Sequence, residues 1–200
     1  MDPGPQDADA KRVFARERRM HHPPLLEAIV ADAQVTAAHR GERSRFRSRA
    51  DALAQSLRLA WTSDAFCAQV LYRLQARLQA AGMPVLPRLA HRLAMATAQV
   101  SIGDPVVVEP GVYIVHGQVV IDGITRIGSG AVISPFVTIG LKEGNFVGPT
   151  LDRNVAVGSG ARVLGPVRIG AGARIGANAV VIDDVPEGST AVGVPARPSG

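Results

Sequence analysis

Residues 151–182 read LDRNVAVGSGARVLGPVRIGAGARIGANAVVI, and their spacing decides the fold. Aliphatic side chains stand at Leu151, Val157, Val163, Ile169, Ile175 and Val181, six residues apart, with glycine following at 158, 170 and 176. Four residues after each aliphatic comes another small or aliphatic one, among them Val155, Ala161, Val167, Ala173 and Ala179. A period of six drifts around an α-helix, and a simple meander has no use for it. A parallel β-helix needs it. Each unit makes a short strand and a turn, three units close a triangular coil, and the inward aliphatics of successive coils stack.

Upstream the same spacing holds at Ile102, Val108, Ile114 and Val120, slips by one residue, and resumes at Ile127, Ile133 and Ile139. The glycines beside these aliphatics (also 103, 128 and 140) are read as turn residues, wanted for positive φ or for close backbone approach. A narrow aliphatic interior also accounts for aromatics being only 4% of the 200 residues. Residues 170–176 (GAGARIG) imitate a dinucleotide loop, but lack its glycine spacing, its following helix and its distal acid. They are two turns of the repeat.

The chain changes character near residue 100. Residues 1–99 carry 15 Lys+Arg, 9 acids and 3 glycines, whereas residues 100–200 carry 7, 8 and 18. The first half is rich in Ala, Leu, Arg and Gln, all good helix formers. Residues 1–10 are expected to form a flexible arm and 11–99 a small α-helical domain. Pro23-Pro24 breaks that domain early, and its clearest helix runs over 64–81, capped by Ser63 or Asp64. Phe66, Val70, Leu74 and Leu78 are expected to share that helix's packed face. The β-helix should occupy 100–185, interrupted by an extruded loop at 141–150, with a C-terminal tail at 186–200.

Several function classes fall away. The arginine-rich run 41–49 scatters around a helix, and Arg outnumbers Lys 20 to 2 throughout, so no nucleic acid partner is expected. One cysteine, Cys67, forms no intrachain disulfide, and no Cys/His cluster has zinc spacing, so no metal is expected. No apolar run reaches the roughly 18 residues of a membrane span, and the N-terminus shows no signal-peptide pattern. A cytoplasmic protein is the expectation.

A smooth prism has no pocket, so chemistry must come from its irregularities. One is the extruded loop. The other is His116, the only histidine after residue 100, at a turn beside Gly117. An imidazole with an ordinary pKa of about 6.5 suits a general base near neutrality.

The hexapeptide register, the His116 turn with Gly123 and Thr125 downstream, the extruded loop and the ending AVGVPAR (191–197) together resemble the hexapeptide-repeat acyltransferases. The serine acetyltransferase branch is the most similar, over about residues 85–198. The resemblance implies a left-handed hand for the β-helix, a homotrimer with sites in clefts between prisms (pairing of trimers left open), and acetyl-CoA as acyl donor. It makes His116 the base that deprotonates an acceptor hydroxyl. By position it assigns Gly140, Ser159, Arg174 and Ala177 to the CoA channel and Arg197 to a CoA phosphate.

The departures from that family are equally specific. It carries an Asp fifteen residues before its histidine, where this chain has Ser101, a hydroxyl that can fix a tautomer but supplies no charge unless Asp104 or Glu109 substitutes. Its serine-binding polar groups fall at Val115, Ile124, Val147 and Gly148 here. A zwitterion with no partners there would be left unpaired at a high cost. The expectation is therefore O-acetylation of a small-molecule or saccharide-like hydroxyl other than free serine. The alternatives are a serine O-acetyltransferase of cysteine biosynthesis and a non-catalytic trimeric scaffold. A prism-type carbonic anhydrase would need three zinc histidines and is set aside.

Overall fold

In the computed structural model, residues 13, 21–143 and 145–199 are described; the expected arm at 1–10 lies outside them. Among the described residues four helices with defined bounds precede the strands: α1 (Leu25–His39), α2 (Arg49–Thr62), α3 (Asp64–Ala80) and α4 (Leu86–Ala98). Ser48 and Ser63 cap α2 and α3, their side chains accepting from the Asp51 and Phe66 amides. Within the run 41–49, Arg43 is forked onto Asp51 at 2.8 and 2.9 Å, and the Arg47 backbone amide donates to the same carboxylate.

The remainder is a left-handed parallel β-helix of about five turns. Its first face stacks β1 (Val100–Ile102), β4 (Val119–Ile121), β7 (Thr138–Gly140), β10 (Arg162–Leu164) and β13 (Val180–Val181). The second stacks β2 (Val107–Val108), β5 (Ile124–Ile127), β8 (Val147–Leu151) and β11 (Arg168–Ile169). The third stacks β3 (Tyr113–Ile114), β6 (Val132–Ile133), β9 (Ala156–Val157), β12 (Arg174–Ile175) and β14 (Thr190–Gly193), onto which β15 (Ala196–Ser199) folds back antiparallel. Thus two strands lie in the stretch read as a tail. Strand β8 likewise takes in 147–150, which leaves 141–146 joining β7 to β8.

The aliphatic ladder fills the interior, with Ile121, Ile127, Ile133, Ile139, Leu151 and Ile169 fully buried. The sequence register needs one correction. Val120 points outward, 42% exposed, and Ile121 takes the core position, so the one-residue slip lies before residue 120. The glycines divide their labour. Those directly after the aliphatics serve close approach: a Cβ on Gly158 would stand 2.7 Å from the Ala177 nitrogen. Positive φ belongs two residues later, as at Gly160 (+74°).

The open end of the first coil exposes unpaired strand edges, which need covering. Here α3 departs from expectation, because Leu74 is exposed and polar side chains are buried beside Ala65, Phe66, Ala68 and Ala76. Gln69 donates to the Val112 carbonyl at 3.0 Å, Tyr72 to Val106 at 2.8 Å, and Arg73 to the Val108 and Glu109 carbonyls. Arg73 also pairs with buried Asp32 of α1 at 2.9 Å, and Asp32 accepts from the Gly111 and Val112 amides. Burial raises the Asp32 carboxyl above its ordinary value against the pull of these donors. The helical half is therefore a hydrogen-bonding lid on the coil. No helix among the described residues is long and apolar enough to cross a membrane.

Candidate functional site

His116 lies in the turn from β3 to β4, on the edge where the third face meets the first. This turn holds the slipped residue. Val120 is six positions after Ile114, whereas its stacking partner Thr138 is five after Ile133, and Arg162 is five after Val157. The extra residue lets the chain bulge where the histidine sits. The end of α4 anchors the bulge, the Gln118 amide donating to the Ala98 carbonyl at 3.0 Å. A Cβ on Gly117 would overlap that same oxygen, so glycine is required there for space alone. His116 itself is exposed, and no described side chain hydrogen bonds its ring.

The same edge continues upward through the turns at 134–136, 158–160 and 176–178. The Gly160 amide donates to the Pro135 carbonyl at 3.0 Å and the Asn178 amide to the Ser159 carbonyl at 2.9 Å. Ser159 and Ala177 are exposed on this strip, in line with His116. Arg174 is also exposed, on the adjoining third face. Arg197, in β15, is solvent-facing and 3.4 Å from Asp183.

Ile124, Gly140, Val147 and Gly148 gather instead at the edge between the first and second faces. Ile124 pairs with Val147, and the Ile124 amide donates to the Phe146 carbonyl at 3.0 Å. Thr125 is buried and its hydroxyl donates to the Asp122 carbonyl at 2.6 Å. A Cβ on Gly148 would overlap the Thr125 hydroxyl, so Gly148 is closely packed from behind, while with Val147 it lines a surface cavity of about 400 Å³ shared with Arg126, Asp152, Arg168 and Asp184. One chain therefore splits the sequence-derived residues: Val115, His116, Ser159 and Ala177 on one edge, Ile124, Gly140, Val147 and Gly148 on another.

Ser101 lies in β1 opposite Val120, one strand below the start of the His116 coil, and no hydrogen bond joins it to His116. Glu109 is committed elsewhere, pairing with Arg126 and accepting from the Ser129 amide, so it does not stand in for the missing acid. Asp104 sits between β1 and β2, on the other edge of the first face. Among the described residues no three His, Cys, Asp or Glu side chains group to hold a metal ion. Sequence reading missed the Ala98–Gln118 anchor; the one-residue slip next to a His-Gly pair was its only signal.

Residues 148–183 match the family model described as bacterial transferase hexapeptide (six repeats). A serine acetyltransferase of Helicobacter pylori strain J99 is 41% identical over 134 residues, 65% of this chain and 78% of its own. The chain belongs to the serine acetyltransferase branch of the hexapeptide-repeat acyltransferases. The serine acetyltransferase of Synechococcus elongatus is 41% identical over 135 residues, 66% of this chain, and the match spans 55% of that relative's length. The soybean serine acetyltransferase structure complexed with serine is 29% identical, with a TM-score of 0.73, covering 90% of this chain and 71% of that one.

These relatives overturn the expectation of an acceptor other than free serine. It rested on four positions read as one apolar acceptor pocket. The structure gives a physical reason for the error: the cavity lined by Val147 and Gly148 also carries Arg126, Asp152, Arg168 and Asp184, so charged groups stand beside positions read as apolar, and both lie on a different edge from Val115. Their apolar character does not describe the surroundings of His116 in the same chain.

Proposed function

We propose that this protein is an acetyl-CoA-dependent serine O-acetyltransferase with His116 as its general base. The observation that carries the reading is the anchored, bulged turn presenting an exposed imidazole in line with Ser159 and Ala177. Membership of a branch whose relatives are named for this activity supports it.

The acyl donor lies along the strip above His116, where the small residues Ser159 and Ala177 leave room for an extended chain. Arg174 and Arg197 offer charge to its phosphates. The serine hydroxyl gives its proton to the His116 imidazole as its oxygen attacks the acetyl carbonyl carbon. The carbon–sulfur bond breaks, and the imidazolium returns the proton to the leaving sulfur. Ser101 acts as a positioning residue near the base. Because one chain carries half of the residues on a second edge, the complete site forms between prisms. A homotrimer brings Ile124, Gly140 and Val147 of one chain to face His116 of the next. Thiol release from acetyl-CoA with L-serine tests the reading, and release only with other hydroxyl compounds contradicts it.

A further inference from the structure

Phe136 is an anomaly that the reaction outlined above does not use. It adopts φ +64°, the left-handed region that bulky side chains avoid. Every other non-glycine residue with positive φ among those described is Asn or Gln: Gln99, Gln118, Asn154 and Asn178. At the equivalent turn positions one and two coils further up, the chain uses Gly160 and Asn178. The Phe136 ring is also 56% exposed, so its packing within the chain does not explain the strained backbone. The strain is held from outside, because Arg162 donates to the Phe136 carbonyl at 2.6 Å and to the Gly160 carbonyl at 2.8 Å. The left-handed turn recurs one coil below as well, at Gln118, so what sets Phe136 apart is an exposed bulky ring at a position otherwise held by residues that tolerate this conformation.

Its place says which ligand. Phe136 stands on the same edge as His116, in the next turn up, with the turns of Ser159 and Ala177 above it. Stacked strands lie about 4.8 Å apart, so the ring is about 5 Å along the strip from the His116 turn, and Ser159 about 10 Å. A donor running down this strip to deliver its thioester to His116 must pass the ring immediately before the reacting carbonyl.

We infer that Phe136 is a donor-contact residue whose ring packs against the thioester end of the acyl-CoA, the acyl group and the last methylenes before sulfur. The inference rests on the proposed use of His116 and its strip. It adds a specificity-determining residue, apolar contact where the donor is apolar, opposite in kind to the charged groups that hold phosphate.

The test compares the wild-type protein with Phe136→Gly and Phe136→Tyr. Glycine relieves the strained backbone, so the melting temperature holds or rises while KM for acetyl-CoA rises roughly ten- to hundredfold. KM for L-serine and the pH profile stay put, and tyrosine restores donor KM. Three results overturn the inference: unchanged donor KM in Phe136→Gly, a rise in serine KM alone, or a lower oligomer mass by light scattering with donor KM recovered at high protein concentration. If the wild-type protein itself neither binds nor turns over acetyl-CoA, the reading of the whole strip falls with it. If the wild type turns over and Phe136→Gly matches it, only the role of the ring is wrong.

Discussion

Gly117→Ala separates the geometry of the site from its composition. Gly117 does not have positive φ, so alanine meets no backbone penalty there. What it meets is the Ala98 carbonyl oxygen at the end of α4. Restoring an ordinary carbon–oxygen contact of about 3.3 Å moves the turn or the helix end by roughly 1.5 Å. It also strains the Gln118–Ala98 hydrogen bond. A misplacement of about 1 Å at a reacting group lowers turnover about a hundredfold, whereas overpacking of this kind costs about 1–3 kcal/mol. The expected outcome is kcat/KM down about a hundredfold with a melting temperature lower by about 2–12 °C. Gly172→Ala is the control. Gly172 has φ +68° and nothing within 4 Å of its Cβ position, and it lies on the edge away from His116, so stability alone should drop. The assay is thiol release from acetyl-CoA with L-serine, beside a thermal melt. A Gly117→Ala protein with wild-type kcat/KM would refute the idea that α4 holds the His116 turn in register.

Ser101→Asp places a carboxylate beside the start of the His116 coil; the acidic limb of the pH–rate profile should move to higher pH and kcat/KM should rise, while an unmoved profile would remove Ser101 from the site. Arg73→Met strands the Asp32 carboxyl in the lid, and breaking a buried pair in this way costs about 3–5 kcal/mol. Denaturant titration checks this, and a loss below about 1 kcal/mol would contradict the lid's role. Burial pushes the Tyr72 hydroxyl from 10.0 up to about 12. A folded pKa raised above the unfolded one gives stability that is complete below pH 10 and lost as pH climbs toward 12, about 3 kcal/mol in all. Tyr72→Phe should start less stable, having lost its bonds to Val106 and Val108, and should show no such alkaline loss in urea titrations between pH 9 and 12.

The β-helix is legible in the sequence because its code is local. Each aliphatic stacks on its counterpart a coil away, so a six-residue period writes the fold directly, and coordinates were needed for the place of the slip at Val120 and Ile121, the start of β8 and the two strands beyond residue 185. The helical lid is not legible in this way. Its decisive residues, Asp32, Gln69, Tyr72, Arg73 and Gln75, are polar or amphipathic and read as surface, since nothing in the local pattern announces that a strand edge of unpaired carbonyls will cover them. The hydrophobic spacing of Phe66, Val70, Leu74 and Leu78 found the face that packs on α1 and α2 at Phe66 and Val70, failed at exposed Leu74, and gave no sign of the second, partly polar face on the coil.

The site falls between these cases. His116 stood out as a lone titratable residue at an irregular turn. The division of the remaining positions between two edges depends on which corner of the triangle each turn occupies. That three-dimensional fact also decides that Arg126, Asp152, Arg168 and Asp184 share the cavity at Val147 and Gly148, which four apolar residues in the sequence did not reveal. Phe136 was invisible as an anomaly until its φ was known.

The most direct test of the account is serine-dependent thiol release from acetyl-CoA by the wild-type protein and by His116→Ala. An exposed side chain at a turn contributes little to folding, so the two proteins should melt alike. The account predicts robust release with L-serine that falls about a hundred- to ten-thousandfold in the variant. Equal release by both proteins, or none by a wild-type protein that is folded, would contradict it.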